Sequence, residues 1–256
     1  MESISKSHYK FIKQYMKTSL NDIIYVNNIP KVVYIFWFSH TDITPAFTIR
    51  RFNALNSLIN GLKVPVIIIT SENYKFFEKK EYPIHEGFNY LSGNHKSDYL
   101  RAYMLHHYGG GYHDIKFREK SWENEWEKLS DPNYWILGRQ EFYEDAIGYP
   151  PNCEYLKKEY NKLVTMGWVI CRPNNEYTKE LLDTIHTTLD NCIEKLKECP
   201  ATKPRFPEPI DIDINNKIKY PLRWLELMGE ISHTLMLKYN SHILFGLPDI
   251  LYKTYK

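Results

Sequence analysis

The chain has 256 residues, a net charge of +2, and four cysteines without paired C-x-x-C spacing. That length can bury a sizeable core, the balanced charge argues against nucleic acid as a partner, and the cysteines indicate neither a zinc site nor a disulfide scaffold. No apolar run is long enough to span a bilayer and no secretory apolar region follows the N-terminus, so a cytoplasmic, reducing setting is expected.

Residues 4 to about 24 read as an amphipathic helix. Ile4, Phe11, Ile12, Tyr15, Met16 and Ile23 fall near one face, with Lys6, Lys10, Lys13 and Lys17 mostly opposite. Such a helix packs on the domain or makes a peripheral contact with a membrane surface. Lys31 to Phe38 is a continuous apolar run that suits a buried strand of a parallel sheet. Thr44-Pro45 opens a helix to about Asn60, with proline in its first turn and Gly61 at its end. Val64 to Thr70 is a second buried strand, and Ser71 caps a short helix through Lys79. Strand, helix, strand, helix begins a Rossmann-like sheet. Tyr82 to Asn94 is a loop.

Ser97 to Lys116, SDYLRAYMLHHYGGGYHDIK, is the stretch that carries chemistry. Ser97 suits a helix N-cap, and Tyr99, Leu100, Tyr103, Met104 and Tyr108 recur at helical spacing. Asp98 and Arg101 stand three apart, so both leave the helix on one edge. Gly109, Gly110 and Gly111 stop the helix and would let another molecule approach the backbone. Tyr112 to Ile115 reads as a short strand, and alternation puts Asp114 and Lys116 on one side.

Beyond it, Trp122 to Leu129 reads as helical, Tyr134 to Gly138 as a strand, and Glu141 to Asn152 as an acidic loop. Asn152 to Leu163 is a helix, Met166 to Arg172 a strand, and Asn174 or Asn175 caps a long helix to about Glu198. Five prolines between Pro200 and Pro221 exclude a regular helix there. This segment reads as a surface loop or an acceptor-site flap. Pro221 starts a last helix to about Tyr239, on which Arg223, Glu226 and Glu230 share a face.

The set S-D-x-x-R, Y-G-G-G-Y-x-D and Ile29-Pro30-Lys31 through Trp37 resembles the capsular polysaccharide synthesis proteins and the OCH1-like sugar transferases of the glycosyltransferase-family-32 type. Tyr149-Pro150-Pro151, Met166 to Pro173 and Arg223 to Glu230 look like later landmarks of the capsular subgroup. The resemblance implies a Rossmann-like, glycosyltransferase A-type α/β fold with a mostly parallel sheet flanked by helices, plus N- and C-terminal helices. It divides residues 1–256, read as one domain, into an N-terminal helix (1–28), a nucleotide-sugar-binding half (29–140) and an acceptor-side half (141–256). It implies transfer from a UDP- or GDP-sugar to a glycan or polysaccharide, with retention.

By the same resemblance, Asp98, Arg101 and Asp114 are the catalytic set. Phe36, Trp37, Gly110, Gly111 and Lys116 join them in holding the donor. The group's usual motif is D-x-D, two carboxylates for a divalent metal, manganese or magnesium, and the diphosphate. Here it reads Asp114-Ile115-Lys116, so Asp114 is the one metal-ligand candidate and Lys116 stands where the second acid would. The lysine could supply cationic charge to the phosphates itself. The missing acid also favours a second reading, a non-catalytic sugar-nucleotide or glycan-binding protein. A two-metal nucleotidyltransferase would need more clustered carboxylates near Asp114 than the sequence offers.

Overall fold

The computed structural model describes residues 4–38, 47–201 and 220–251. The first helix, α1 (Lys6–Lys13), is closed at its start by a capping box between Ser5 and His8. It is shorter than the expected helix over 4–24. Past it the Tyr15 carbonyl accepts the Ile68 amide and Lys17 accepts from the Asn73 side chain, so the backbone is spent on the sheet edge instead of on further helix. The residues assigned to a membrane contact thus split between a two-turn helix and this edge segment.

A small hairpin follows, β1 (Tyr25–Val26) and β2 (Ile29–Pro30), with Asn27 and Asn28 in the left-handed region at its turn. Strand β3 (Val33–Trp37) leads to α2 (Ile49–Leu62) and β4 (Val66–Thr70). Thr48 caps α2, so the helix begins after Thr44-Pro45, and residues 39–46 lie outside the described chain. Gly61 does not end the helix. The turn is made by Lys63 at φ 57°, and a Cβ on Gly61 would stand 2.6 Å from the Arg118 carbonyl. After a 3-10 turn at Tyr74–Phe77 and another at Glu86–Tyr90 comes α3 (Gly93–His107), then β5 (Gly110–His113).

Strands β6 (Ile136–Gln140) and β7 (Val164–Cys171) come next, then α4 (Glu176–Glu198), α5 (Gly229–Lys238) and β8 (Ile243–Phe245). Trp122 to Leu129 and Asn152 to Leu163 form turns and 3-10 segments, Trp126–Leu129 and Glu154–Lys162, where α-helix was expected. Asn175 caps α4 as expected, accepting from the Thr178 amide. The last helix starts at Gly229, eight residues later than Pro221 suggested. Residues 202–219 of the proline-rich segment lie outside the described chain.

The six-stranded sheet runs β4-β3-β5-β7-β6-β8. Pairs β3/β4, β3/β5 and β6/β8 are parallel, and β7 alone runs against its neighbours. The architecture is mixed α/β, with a mostly parallel sheet between two helical layers. One apolar layer joins Tyr34, Phe36, Tyr112 and Val169 to α3, α4 and α5. The other joins Val33, Ile35, Leu137 and Ile170 to α1, α2 and the tryptophans 122 and 126. Odd and even residues of β3 and β4 enter different layers, as the pleat requires, while β7, irregular between its pairings with Gly138 and Gln140, sends Val164 and Met166 to the same layer as Val169 and Cys171.

Candidate functional site

Helix α3 and strand β5 set the site. Ser92, not Ser97, caps α3, accepting the His95 amide. Ser97 lies one turn inside, its hydroxyl bonded to the Gly93 carbonyl. The earlier cap keeps Asp98 and Arg101 within regular helix, on the edge that faces β5.

Arg101 is 7% exposed, with both terminal nitrogens of its guanidinium engaged and Nε buried without a hydrogen-bond partner. Nη1 donates to the Met166 carbonyl at 2.9 Å, and Nη2 donates to Asp98 Oδ1 at 3.1 Å and Tyr112 Oη at 3.1 Å. The group also lies 4.1 Å from the Tyr112 ring centroid. Tyr112 in turn donates its hydroxyl to Asp114 Oδ1 at 2.6 Å, and Arg101 Nη2 stands 3.9 Å from the same oxygen. Burial holds the Tyr112 phenol well above its usual pKa, so it stays a donor. Four side chains from one helix and one strand end thus form a single network of two acids, a cation and a phenol. Asp114 is the open member, its side chain 35% exposed against 15% for Asp98.

Two features fix the Asp114 backbone. Its amide donates to the Gly167 carbonyl at 2.7 Å. Its carbonyl is 2.5 Å from His113 Nδ1, and Arg118 Nε donates to His113 Nε2 at 2.9 Å. A carbonyl can only accept, so Nδ1 carries the proton and Nε2 receives from the arginine. Burial, then the Arg118 charge, lowers the His113 pKa well below its usual value, in keeping with a neutral ring. Gly167 leaves room beside the acid, because a Cβ there would stand 3.4 Å from Asp114 Oδ2.

Burial raises the Asp98 pKa to about 6, Arg101 opposes the rise, and the Asp114 charge adds to it. For Arg101, burial alone would lower the pKa, but Tyr112, Asp98 and Asp114 outweigh it and the group stays cationic.

The other expected donor residues are placed differently. Phe36 is stacked on Tyr112 with ring centroids 5.3 Å apart, so it touches the network from within the core. Trp37 enters the opposite layer, where it meets Phe47 edge-on and lies 4.9 Å from the Arg51 guanidinium. Alternation separates the two aromatics, which therefore do not flank one ligand face. Gly110 and Gly111 sit at the amino end of β5, buried between β3 and β7 and away from the end that carries Asp114. Their missing Cβ atoms make room for Tyr34, Val33, Trp122 and the Val32 carbonyl. The strand ends at His113, so the alternation that aligned Lys116 with Asp114 stops there. Lys116 lies near enough to His113 to lower the basicity of that ring.

A divalent metal needs several hard oxygen donors. Among the described residues no three His, Cys, Asp or Glu side chains gather to hold one, and Asp98 and Asp114 already share a guanidinium. The side chains present do not fit a protein-built metal site.

Sequence reasoning missed Tyr112, His95 and Gly167. The period of two places Tyr112 on the Asp114 side, so that signal was available. No local signal points to Gly167 or His95. His95, fully buried, accepts from Tyr220 Oη at 2.7 Å and donates Nε2–H to the Arg223 carbonyl at 3.1 Å. This ties residues 220–223 to the start of α3. Arg223 and Glu226 precede α5 but still converge with Glu230. Arg223 Nη2 meets Glu230 Oε2 at 2.6 Å, and its amide donates to Glu226 at 2.8 Å. His106 bonds Thr178, and His107 packs on Tyr82 and Tyr103.

No curated protein matches the chain. Among solved structures, the chain is similar to one titled PaToxG Glycosyltransferase. The identity is 13% and the TM-score 0.44, over 91% of this chain and 76% of that one. The capsular polysaccharide synthesis protein family matches residues 2–148, which include α3, β5 and the whole of the Asp98–Arg101–Tyr112–Asp114 network. The match spans more than half of the sequence, and the chain belongs to that family.

Proposed function

We propose that the protein is a glycosyltransferase that moves a sugar from a UDP- or GDP-sugar to a glycan or polysaccharide acceptor, with retention at the anomeric carbon. The observation that carries this reading is the network that ends on Asp114. It presents a carboxylate at the carboxyl edge of a mostly parallel sheet, where open α/β sheets bind ligands.

Each residue then has a task. Asp114 accepts hydroxyls of the donor sugar or ribose through Oδ2 of its partly exposed carboxylate. Tyr112 and Arg101 hold Oδ1 and set the carboxylate's angle. Asp98 accepts a further hydroxyl, or donates to one when protonated. Arg101 keeps two neighbouring acids compatible and positions both, since its own nitrogens are mostly engaged within the protein. The leaving diphosphate needs positive charge, usually the dominant contribution in such transfers. We assign part of it to Lys116, which stands beyond Asp114 in the chain. The likeness of the Ser97–Lys116 stretch to the OCH1-like transferases supports the choice of donor and of retention.

The test is a thermal-shift series with UDP-glucose, UDP-galactose, GDP-mannose and UMP, followed by donor hydrolysis and product analysis by NMR. At least one nucleotide sugar should raise the melting temperature more than UMP does, because a ligand of the native state stabilises by mass action. No stabilisation by any diphosphate sugar, with or without manganese, would remove the transferase reading. Binding without hydrolysis or transfer would favour the non-catalytic alternative.

A further inference from the structure

A concave surface lies at the same edge of the sheet as Asp114. It is a groove of about 650 Å³ formed where β6 and β8 end and where the 3-10 segment Glu154–Lys162 leads into β7. Its walls include Phe142, Tyr160 and Phe245, and its polar lining includes Gln140, Glu141 and Asn161. Phe142 and Phe245 are exposed aromatic rings. The Arg139 guanidinium packs on Phe142 and is neutralised by Asp249 at 3.0 Å, so the rim gains no net charge from it.

Glu141 gives the groove its chemical character. The residue is 9% exposed, and among the described residues no donor hydrogen-bonds its carboxylate. Behind it stands His233, 3% exposed, with Nε2 3.7 Å from Glu141 Oε1, too long for a hydrogen bond. Gly148 meets His233 Nδ1 through both its amide, at 3.0 Å, and its carbonyl, at 3.1 Å, and no hydrogen-bond partner meets Nε2. The Glu141 carboxylate opens to the groove, and the buried His233 Nε2 behind it lacks a hydrogen-bond partner. A ligand rich in hydroxyls can donate to the Glu141 carboxylate where it lines the groove. Flat aromatic faces beside planar amides suit the apolar faces and hydroxyl rims of sugar rings.

The location fits one part of a transferase. Asp114 bonds to β7 at Gly167, and Gln140 pairs with Val164 of the same strand. The groove is therefore three residues along β7 and two strands across from Asp114, on the order of 14 Å at the usual strand spacings. That is too far to touch the transferred sugar and near enough for a chain of several sugar rings to reach both.

We infer that this groove binds the remote part of a neutral oligosaccharide acceptor, with Phe142 and Phe245 as stacking faces and Glu141 as the hydroxyl acceptor. The inference rests on the transferase reading above. Its test is binding of maltohexaose, cellohexaose and chitohexaose to the full chain by saturation-transfer NMR and calorimetry, beside the donor thermal shift on the same protein. At least one hexaose should bind, more tightly than its own disaccharide. The double variant F142A/F245A and, separately, E141Q should weaken binding roughly tenfold or more. The control F76A, an exposed ring on another surface, should bind as the unaltered chain does. Circular dichroism melting shows that each variant is folded, and the exposed positions of both rings favour that. A chain stabilised by a donor sugar that binds none of the hexaoses, or whose binding survives both groove variants, overturns the inference and leaves the transferase reading standing. Hexaose binding lost in the variants supports the groove, even where no donor stabilises the chain and the transferase reading itself fails.

Discussion

Asp98 is the residue whose environment makes the clearest pH statement. Its folded pKa is pushed up to about 6 by burial, against the usual carboxylate value near 4. Between those two values the unfolded chain has lost this proton and the folded chain keeps it. The folded state binds more protons there, so this group's contribution to stability is present below about pH 4 and is lost as the pH rises to about 6. D98N removes the titration. Its melting temperature relative to the unaltered chain should therefore rise between pH 4 and pH 6.5, as followed by calorimetry in matched buffers. A difference that stays flat across that window would place Asp98 in a solvated setting. At Asp114 the expectation is catalytic: D114N keeps the fold but should abolish most transfer, and Y112F, which removes the 2.6 Å bond to the carboxylate, should lower it by an intermediate factor. Losing a hydrogen bond to a charged group costs about 1.5–3 kcal/mol, or roughly ten- to a hundredfold in rate if it acts in the transition state. Steady-state kinetics with donor and acceptor would show whether the graded order holds.

At the scale of elements, the start of α3 is a junction. The Tyr220 hydroxyl receives the Ser92 amide and donates to His95, and the two rings stack 5.6 Å apart. Burial lowers the His95 pKa to about 4, so the ring is neutral at pH 7 and its proton sits toward the Arg223 carbonyl. Y220F strips partners from two buried groups and should cost about 1–3 kcal/mol in a denaturant titration. The other end of α3 turns at Gly109, at φ 69°, where a Cβ would stand 2.6 Å from the Pro173 ring. G109A combines an unfavourable backbone region with a clash against a rigid ring, and should lower stability by more than about 1 kcal/mol. A melting temperature within a degree of the unaltered protein would contradict the geometry.

The whole molecule depends on one sheet whose neighbours are far apart in sequence. Strand β7 (residues 164–171) lies between β5 (110–113) and β6 (136–140). A fragment ending at residue 140 would keep β5 and β6 but lack the strand that joins them. Both would present unpaired edges, and Asp114 would lose the Gly167 carbonyl that holds its amide. The fragment 1–140 should therefore show neither a cooperative thermal transition nor dispersed amide NMR signals. A well-folded fragment would mean that residues 1–140 have a core of their own. Among the described residues no helix is long and apolar enough to cross a membrane.

Local periodicity settled much of this protein in advance. The apolar runs of β3 and β4, the Asn175 cap of α4, and the shared edge of Asp98 and Arg101 all follow from spacing within a single element. So does the kinship of Tyr112 with Asp114, because a strand repeats every two residues wherever it lies. Other features depend on partners that the local sequence does not name. The glycines at 110 and 111 look like a ligand's approach path but serve contacts with β2, β3 and Trp122. Trp37 and Phe36 look like one aromatic pair but enter opposite layers. The helix expected over 4–24 stops after two turns because the sheet edge takes its carbonyls. The reversal of β7, the Gly167 opening beside Asp114, and a groove assembled from residues 140–142, 160–161 and 245 come from pairings across tens of residues. Such pairings are selected by the free energy of the complete core, which no window of the sequence contains.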